Sequence, residues 1–155
     1  MVNNKIVGVF PMAADLLHSG HISALEEARN HCDYLIVGLN CCPTKGNPTK
    51  HPTVQSVFER FNQLKAVKYV DEIVPYEDEK DLLVFLGSTN YQIRFVGDDY
   101  KDRSWTGKIV EDERGIKPYF LSRQYHGLSS TELKARVVME DNKFRYGECE
   151  KECNG

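Results

Sequence analysis

Side chains able to bind phosphate lie together near the start of the chain, where Asp15 is followed by His18, Gly20 and His21. Two imidazoles three residues apart at the beginning of a helix can point into one crevice. The glycine between them leaves room for a ligand to approach the backbone. Free N–H groups of the first helical turn add further donors, so this segment is suited to a phosphate. A zinc ion on the imidazoles and a purely structural role of the histidines are the alternatives.

The elements around this segment must position the histidines. The apolar run at residues 6–10 is typical of a parallel strand buried on both faces. Residues 22–30 carry apolar side chains at helical spacing, and residues 34–39 form a second apolar run. Strand, helix and strand with short connections indicate a right-handed βαβ unit. The histidines then follow the carboxyl end of the first strand, where α/β proteins bind ligands.

The rest of the chain continues this alternation. Residues 40–53 contain three prolines and are predicted to form a long loop with the character of a lid. Further strands are predicted at residues 72–76, 93–97 and 119–121. Helices are predicted at residues 54–67, 78–86 and 104–115, and from a Ser129–Glu132 capping box to about Met139. In the first of these helices, Glu59 and Arg60 are expected to face solvent. These elements predict a single α/β domain at residues 1–139, a Rossmann-like doubly wound parallel sheet of about five strands, followed by a polar C-terminal tail at residues 140–155.

Composition excludes several classes of protein. The 155 residues are 41% hydrophobic and 28% charged, which is ordinary for one globular domain. A net charge of −3 argues against a protein that coats nucleic acid. No apolar run approaches the roughly 20 residues that span a bilayer, and the N-terminus lacks a signal peptide. Five cysteines without a disulfide spacing suit a reducing compartment, so we expect a cytoplasmic protein.

Four segments resemble signatures of the HxGH nucleotidyltransferases, most closely the cytidylyltransferases and among them those acting on glycerol 3-phosphate. Residues 15–21 resemble the end of G-x-F-D-x-x-H-x-G-H, residues 68–75 resemble R-Y-V-D-E-V, residues 96–100 resemble G-D-D/E-W, and residues 123–131 resemble R-T-x-G-I-S-T-T. The matches follow the family's order. Lys68 replaces the arginine of the second signature, the fourth has one extra residue before its glycine, and residues 11–14 separate Phe10 from Asp15.

The resemblance implies that a phosphate oxygen attacks the α-phosphorus of a nucleoside triphosphate and that pyrophosphate leaves. Catalytic roles are implied for His18, His21, Lys45 and Arg123. Contacts with the nucleotide are implied for Val9, Phe10, Asp15, His18, Gly20, His21, Lys50, Asp98, Arg123, Gly127, Ser129, Ser130 and Thr131. Lys68 and Asp71 are predicted to bind the acceptor. We expect no protein ligands for a metal, since Mg²⁺ would be held mainly by the triphosphate.

The implied substrates are CTP and a small phosphorylated alcohol, with glycerol 3-phosphate favoured. A homodimer is expected from the resemblance, without nucleic acid as a partner and without insertion into a membrane. Two alternatives stay open. One is an adenylyltransferase that uses ATP on a sugar phosphate or pantetheine phosphate. The other is a module that senses a nucleotide without catalysis.

Overall fold

Five parallel strands form one sheet in the computed structural model, which describes residues 4–122 and 128–146. They are β1 (Val7–Met12), β2 (Tyr34–Asn40), β3 (Glu72–Tyr76), β4 (Ile93–Gly97) and β5 (Lys117–Leu121). Their order across the sheet is β3-β2-β1-β4-β5, and each neighbouring pair is parallel. The predicted α/β class and the five strands are confirmed.

Helices connect the strands in alternation. They are α1 (Ser19–Asn30), α2 (Pro43–Gly46), α3 (Val57–Lys65), α4 (Glu79–Ser88), α5 (Lys108–Glu113) and α6 (Ser130–Tyr146). Short α2 lies within the segment predicted to be a loop throughout, and α3 begins at residue 57 because Ser56 caps it. None of these helices in the described part of the chain is both long and apolar enough to cross a lipid bilayer.

The last helix runs further than its sequence predicted. α6 continues past Met139 to Tyr146, so residues 140–146 of the predicted tail are helical. Ion pairs one helical turn apart, such as Arg145 with Asp141 at 2.7 Å, favour this exposed extension. The polar composition had indicated a tail, but a helix that is polar all round can be stabilised by such pairs.

Helices cover both faces of the sheet, as a doubly wound fold requires. One core packs α1 and α3 against the sheet and includes Leu25, Leu64 and Phe95. The other packs α4 against the opposite face and includes Val9 and Phe85. Burial of apolar side chains on both faces explains why the strands read as continuous apolar runs.

A gap between two central strands prepares the site. β1 pairs with β2 from Val7 to Met12 but with β4 only at Gly8 and Val9. The two strands separate before Pro11, which has no N–H group to donate to a ladder. The chain order reverses between these strands, and this is where open α/β sheets bind ligands. Pro11 and Met12 thus extend the strand instead of forming a separate insertion.

Candidate functional site

Asp15 holds the turn after β1 in an uncommon backbone conformation. Its neighbours Ala14 and Leu16 have φ angles of 53° and 51°, in the left-handed region that such residues seldom adopt. The buried Asp15 carboxylate accepts hydrogen bonds of 2.9 Å from the N–H groups of both Val54 and Gln55. Burial acts to raise the pKa of this carboxyl, but the two hydrogen bonds, together with the charges of Lys134 and Arg60, outweigh it and lower the pKa. Asp15 therefore fixes the turn against the segment before α3.

His18 and His21 stack at the start of α1, with ring centroids 3.9 Å apart. The Nδ1 atom of His18 accepts a hydrogen bond of 3.0 Å from the Gly20 N–H group. The Nδ1 atom of His21 accepts one of 3.3 Å from the His18 N–H group. A neutral imidazole whose Nδ1 accepts carries its hydrogen on Nε2. These bonds therefore assign an Nε2–H donor to each ring, and the pairing expected from the sequence is present.

Burial favours the neutral form of both rings. It lowers the pKa of His21 from 6.5 to about 4, with a further decrease from His18 and an opposing effect of Asp15. The pKa of His18 is also lowered, first by burial and then by the charge of Arg136. Near pH 7 the pair consists of uncharged donors whose orientation is set by the backbone.

The N-terminus of α6 lies against these histidines. The Ser130 hydroxyl donates to the Asp15 carbonyl at 3.0 Å and lies 3.4 Å from Nε2 of His18. Ser129 accepts a hydrogen bond of 3.1 Å from the N–H group three residues later, which confirms the predicted cap. Nζ of Lys134 lies 3.6 Å from the Asp15 carboxylate. The helix dipole and this lysine make the potential around the histidines more positive.

Gly20 is needed for packing of the protein itself. A Cβ atom at this position would lie 2.5 Å from the carbonyl oxygen of Leu128 and 2.8 Å from Cε1 of His18. The space that the sequence suggested for a ligand is thus occupied by the segment that leads into α6.

Arg60 is buried, contrary to the prediction that it faces solvent. Only 1% of it is exposed. Its guanidinium donates to the carbonyls of Ala13 at 2.8 Å, Asn40 at 2.6 Å, Cys41 at 2.9 Å and Gln55 at 3.2 Å. One side chain therefore joins the carboxyl ends of β1 and β2 to the segment held by Asp15. The pattern did contain a signal, because Arg60 lies one turn before buried Leu64.

A pocket of about 500 Å³ opens where β1 and β4 separate. Its walls include Phe10–Ala13 of β1 and the turn beyond it, Arg94–Gly97 of β4, and the segment Ser104–Thr106. Lys50 and Glu79 also line it, as do the aromatic side chains of Tyr76, Tyr100 and Trp105. Neither Lys50 nor Glu79 forms an ion pair of 4 Å or less with another residue in the described part of the chain. Arg94 also lines the pocket, but its charge is compensated by the ion pair of 2.8 Å with Glu111. With Lys50, Glu79 and aromatic walls, the pocket suits a small molecule that carries both charges.

The residues implied to contact nucleotide are divided between pocket, core and surface. Phe10 and Lys50 line the pocket, whereas Val9 is fully buried in the core and its side chain cannot reach a ligand. Lys45 forms an ion pair of 2.6 Å with Glu77 and does not line the pocket. Asp98 follows β4 at the same edge of the sheet and pairs with Lys101 at 2.7 Å. Thr131 is exposed on the first turn of α6. Arg123 and Gly127 lie outside the described residues.

The two residues predicted to bind the acceptor lie at the amino ends of the strands, whereas the pocket lies at their carboxyl ends. Asp71 accepts a hydrogen bond of 2.8 Å from the N–H group of Leu35, at the start of β2, and pairs with Arg29 at 3.2 Å. The amine of Lys68 lies 5.1 Å above the ring of Tyr69. Both precede β3, while the pocket follows the strands. Within one chain, Lys68 and Asp71 therefore do not contact an acceptor bound in this pocket.

Across residues 4–122 and 128–146, no group of three or more His, Cys, Asp or Glu side chains is placed to hold a metal ion. The donors around the pocket do not fit a metal held by the protein alone. Lys50 lines the pocket, whereas His18, His21 and the N-terminus of α6 are not part of its lining; each of these groups suits an anion.

Comparison with known proteins relates this geometry to one family. The model of the cytidylyltransferase-like family matches residues 8–136. A probable ethanolamine-phosphate cytidylyltransferase of Encephalitozoon cuniculi is 47% identical over 130 residues, covering 80% of this chain and 37% of that protein. The glycerol-3-phosphate cytidylyltransferase of Bacillus subtilis is 30% identical over 125 residues, covering 80% of this chain and 91% of that protein.

A solved structure shares the fold. The lipopolysaccharide core biosynthesis protein of Thermoplasma volcanium superposes with a TM-score of 0.62 at 24% identity, covering 76% of this chain and 97% of that chain. The chain spans less than half the length of the choline- and ethanolamine-phosphate cytidylyltransferases that it matches.

Proposed function

Because this chain belongs to the cytidylyltransferase-like family, we propose that it transfers a cytidylyl group from CTP to a small phosphorylated acceptor. An oxygen of the acceptor phosphate attacks the α-phosphorus of CTP, and the bond from that phosphorus to pyrophosphate breaks in line. The products are a cytidine diphosphate ester and pyrophosphate. No protein nucleophile takes part, so the rate depends on positioning and on stabilising charge at the phosphoryl oxygens.

His18 and His21 are proposed to supply that stabilisation. Their Nε2–H groups are oriented by backbone hydrogen bonds to Nδ1, so little reorganisation is needed when charge develops on the phosphate. The N–H groups of the first turn of α6 would hold a second phosphate, next to the Ser130 hydroxyl, which itself donates to the Asp15 carbonyl. Mg²⁺ enters this proposal only as a companion of the triphosphate, and no step is assigned to it.

The acceptor is proposed to be a phosphorylated amino alcohol, with ethanolamine phosphate as its representative. The pocket beside the separated strands supports this choice because it combines Lys50 with Glu79 and three aromatic side chains. The lysine suits the phosphate of such a zwitterion, and the carboxylate and aromatic faces suit its ammonium group. Glycerol 3-phosphate, favoured from the sequence, has no cation to match Glu79. The relative with 47% identity is named for ethanolamine phosphate.

A homodimer also remains a proposal. Phe58 of α3 is 74% exposed and Phe144 of α6 is 76% exposed, so apolar surface is available on this chain for a second copy. Measurement of the mass in solution by light scattering at micromolar concentration tests it, and a monomeric mass would count against it.

Release of pyrophosphate with each combination of nucleotide and acceptor tests the proposed reaction. CTP and ATP are combined with ethanolamine phosphate, choline phosphate and glycerol 3-phosphate. We expect the highest kcat/KM with CTP and an amino alcohol phosphate. Preference for ATP would indicate an adenylyltransferase, and nucleotide binding without pyrophosphate release would indicate a sensor.

A further inference from the structure

Glu111 is a buried carboxylate that the transfer chemistry does not use. It is 2% exposed and accepts three hydrogen bonds from side chains. One carboxylate oxygen accepts from the Tyr91 hydroxyl at 2.6 Å and from the guanidinium of Arg94 at 2.8 Å. The other accepts from the indole Nε1–H group of Trp105 at 2.8 Å. Because Tyr91 and Arg94 fix the first oxygen, the second is held in place for the indole.

The segment that contains Trp105 forms one wall of the pocket. The carbonyl of the next residue, Thr106, accepts from Arg94 at 3.4 Å, and its hydroxyl donates to Glu79 on α4. Gly107, with φ of 92°, then turns the chain into α5, and a Cβ atom there would lie 2.6 Å from Leu86. The indole is therefore held from behind by Glu111 and, like Glu79, lines the pocket. Nζ of Lys108, which pairs with Asp112 at 2.5 Å, lies 5.3 Å from the centroid of the indole, so the headgroup is placed at the part of the ring that lines the pocket and not beside this amine.

We propose that Trp105 determines specificity for an ammonium headgroup and that Glu111 is the positioning residue that orients its ring. This inference rests on the proposed function, whose acceptor pocket it specifies further. An indole is the aromatic group that attracts a cation most strongly, and a carboxylate at its Nε1–H group increases the electron density of the ring. The edge-to-face contact with Phe120, at 5.9 Å between centroids, further restrains the ring. Selectivity then depends on a ring that is fixed before the acceptor arrives.

The first experiment uses the fact that Trp105 is the only tryptophan of the chain. Its fluorescence reports on the pocket during titration with ethanolamine phosphate in the absence of CTP. We expect a saturable change in emission, with a smaller change for glycerol 3-phosphate. Glu111→Gln leaves a single acceptor oxygen, which the Arg94 guanidinium takes, so the amide NH₂ group faces Nε1 of the indole. This variant should shift the emission of the free protein and raise the apparent Kd about tenfold. Tyr91→Phe is the comparison variant, because it removes one bond to the other oxygen but leaves Arg94 on that oxygen and the acceptor for the indole in place, so it should raise the Kd less than Glu111→Gln does.

Kinetics of Trp105 variants form the second experiment and do not require Glu111→Gln to fold. Trp105→Leu should raise the KM for ethanolamine phosphate about tenfold, and Trp105→Phe, which keeps an aromatic face, should raise it less. The KM for CTP, and for glycerol 3-phosphate as acceptor, should change less than twofold. An equal loss for both acceptors, or an unchanged KM in Trp105→Leu, would overturn the inference.

The two proposals fail in different ways. If the protein releases pyrophosphate but Trp105→Leu leaves the KM for ethanolamine phosphate unchanged, the role of the indole is refuted and the transfer reaction is supported. If ethanolamine phosphate changes the emission saturably but no pyrophosphate is released with any acceptor, the transfer reaction is refuted and recognition of the headgroup is supported. An emission that responds equally to glycerol 3-phosphate would remove the proposed selectivity.

Discussion

Replacing Arg60 tests whether one buried cation stabilises the carboxyl ends of β1 and β2, where the site lies. Arg60→Met keeps the length of the alkyl chain and removes all four hydrogen bonds to backbone carbonyls, which measure 2.6 to 3.2 Å. A buried carbonyl left without a donor costs about 1–3 kcal/mol, and these four are part-buried, so each is taken near the lower end of that range. Removal of the guanidinium also relieves its own desolvation penalty, which is several kcal/mol. We therefore expect a net loss of about 4 kcal/mol in the free energy of unfolding.

The measurement is chemical and thermal unfolding followed by circular dichroism. For a domain of this size, about 4 kcal/mol corresponds to a decrease in Tm of about 8–16 °C. The variant should still fold, because typical domains have roughly 5–15 kcal/mol of stability. Lys65→Met is the matched control, since it removes an exposed cation from the same helix and should cost less than about 1 kcal/mol. Equal losses in the two variants would refute the role given to the buried guanidinium.

Four further outcomes are expected. His21→Ala should lower kcat for pyrophosphate release by about 10²-fold, since one preorganised donor is lost, and wild-type turnover at saturating substrate would contradict this. The folded-state pKa of His21 is about 4 and its unfolded value is 6.5. Only the unfolded chain takes up this proton between those values, so stability should fall as the pH decreases from 6.5 to 4, and the fall should be smaller in His21→Ala. Gly20→Ala places a Cβ atom 2.5 Å from the Leu128 carbonyl, so the turn must shift and transfer should slow by at least about tenfold; steady-state rates decide this. Lys68→Ala should leave the KM for acceptor unchanged, and an increase would show that this lysine reaches the site from its own chain or from a second copy.

Much of the fold was predictable because both core faces are apolar. Continuous apolar runs located β1 and β2, the other three strands were also predicted, and β3 and β4 match their predicted limits. The histidine pair was predictable as well, since its spacing and the preceding strand fix where the rings lie. Helix ends were less accurate where a cap or surface ion pairs decide them, as at Ser56 and at the end of α6.

Buried charges were the part that patterns showed least, since only the spacing of Arg60 from Leu64 pointed to one of them. Arg60 and Glu111 carry full charges in positions that only tertiary contacts make favourable, so each was expected to face solvent or to lie in a polar segment. The sequence already indicated that Lys68 and Asp71 lie at the amino ends of the strands. They precede a strand, whereas ligand sites in parallel sheets follow the strands. Trp105 was missed because no local pattern links it to a carboxylate six residues later.

Phosphorus NMR of the protein mixed with CTP, Mg²⁺ and ethanolamine phosphate tests the central claim most directly. The spectrum distinguishes the diphosphate of a cytidine diphosphate ester from pyrophosphate and from CTP. We predict that both products appear in equal amounts with the wild-type protein and much more slowly when His18 and His21 are both replaced by alanine. Hydrolysis of CTP without the ester, or equal product formation by the double variant, would contradict the proposed transfer.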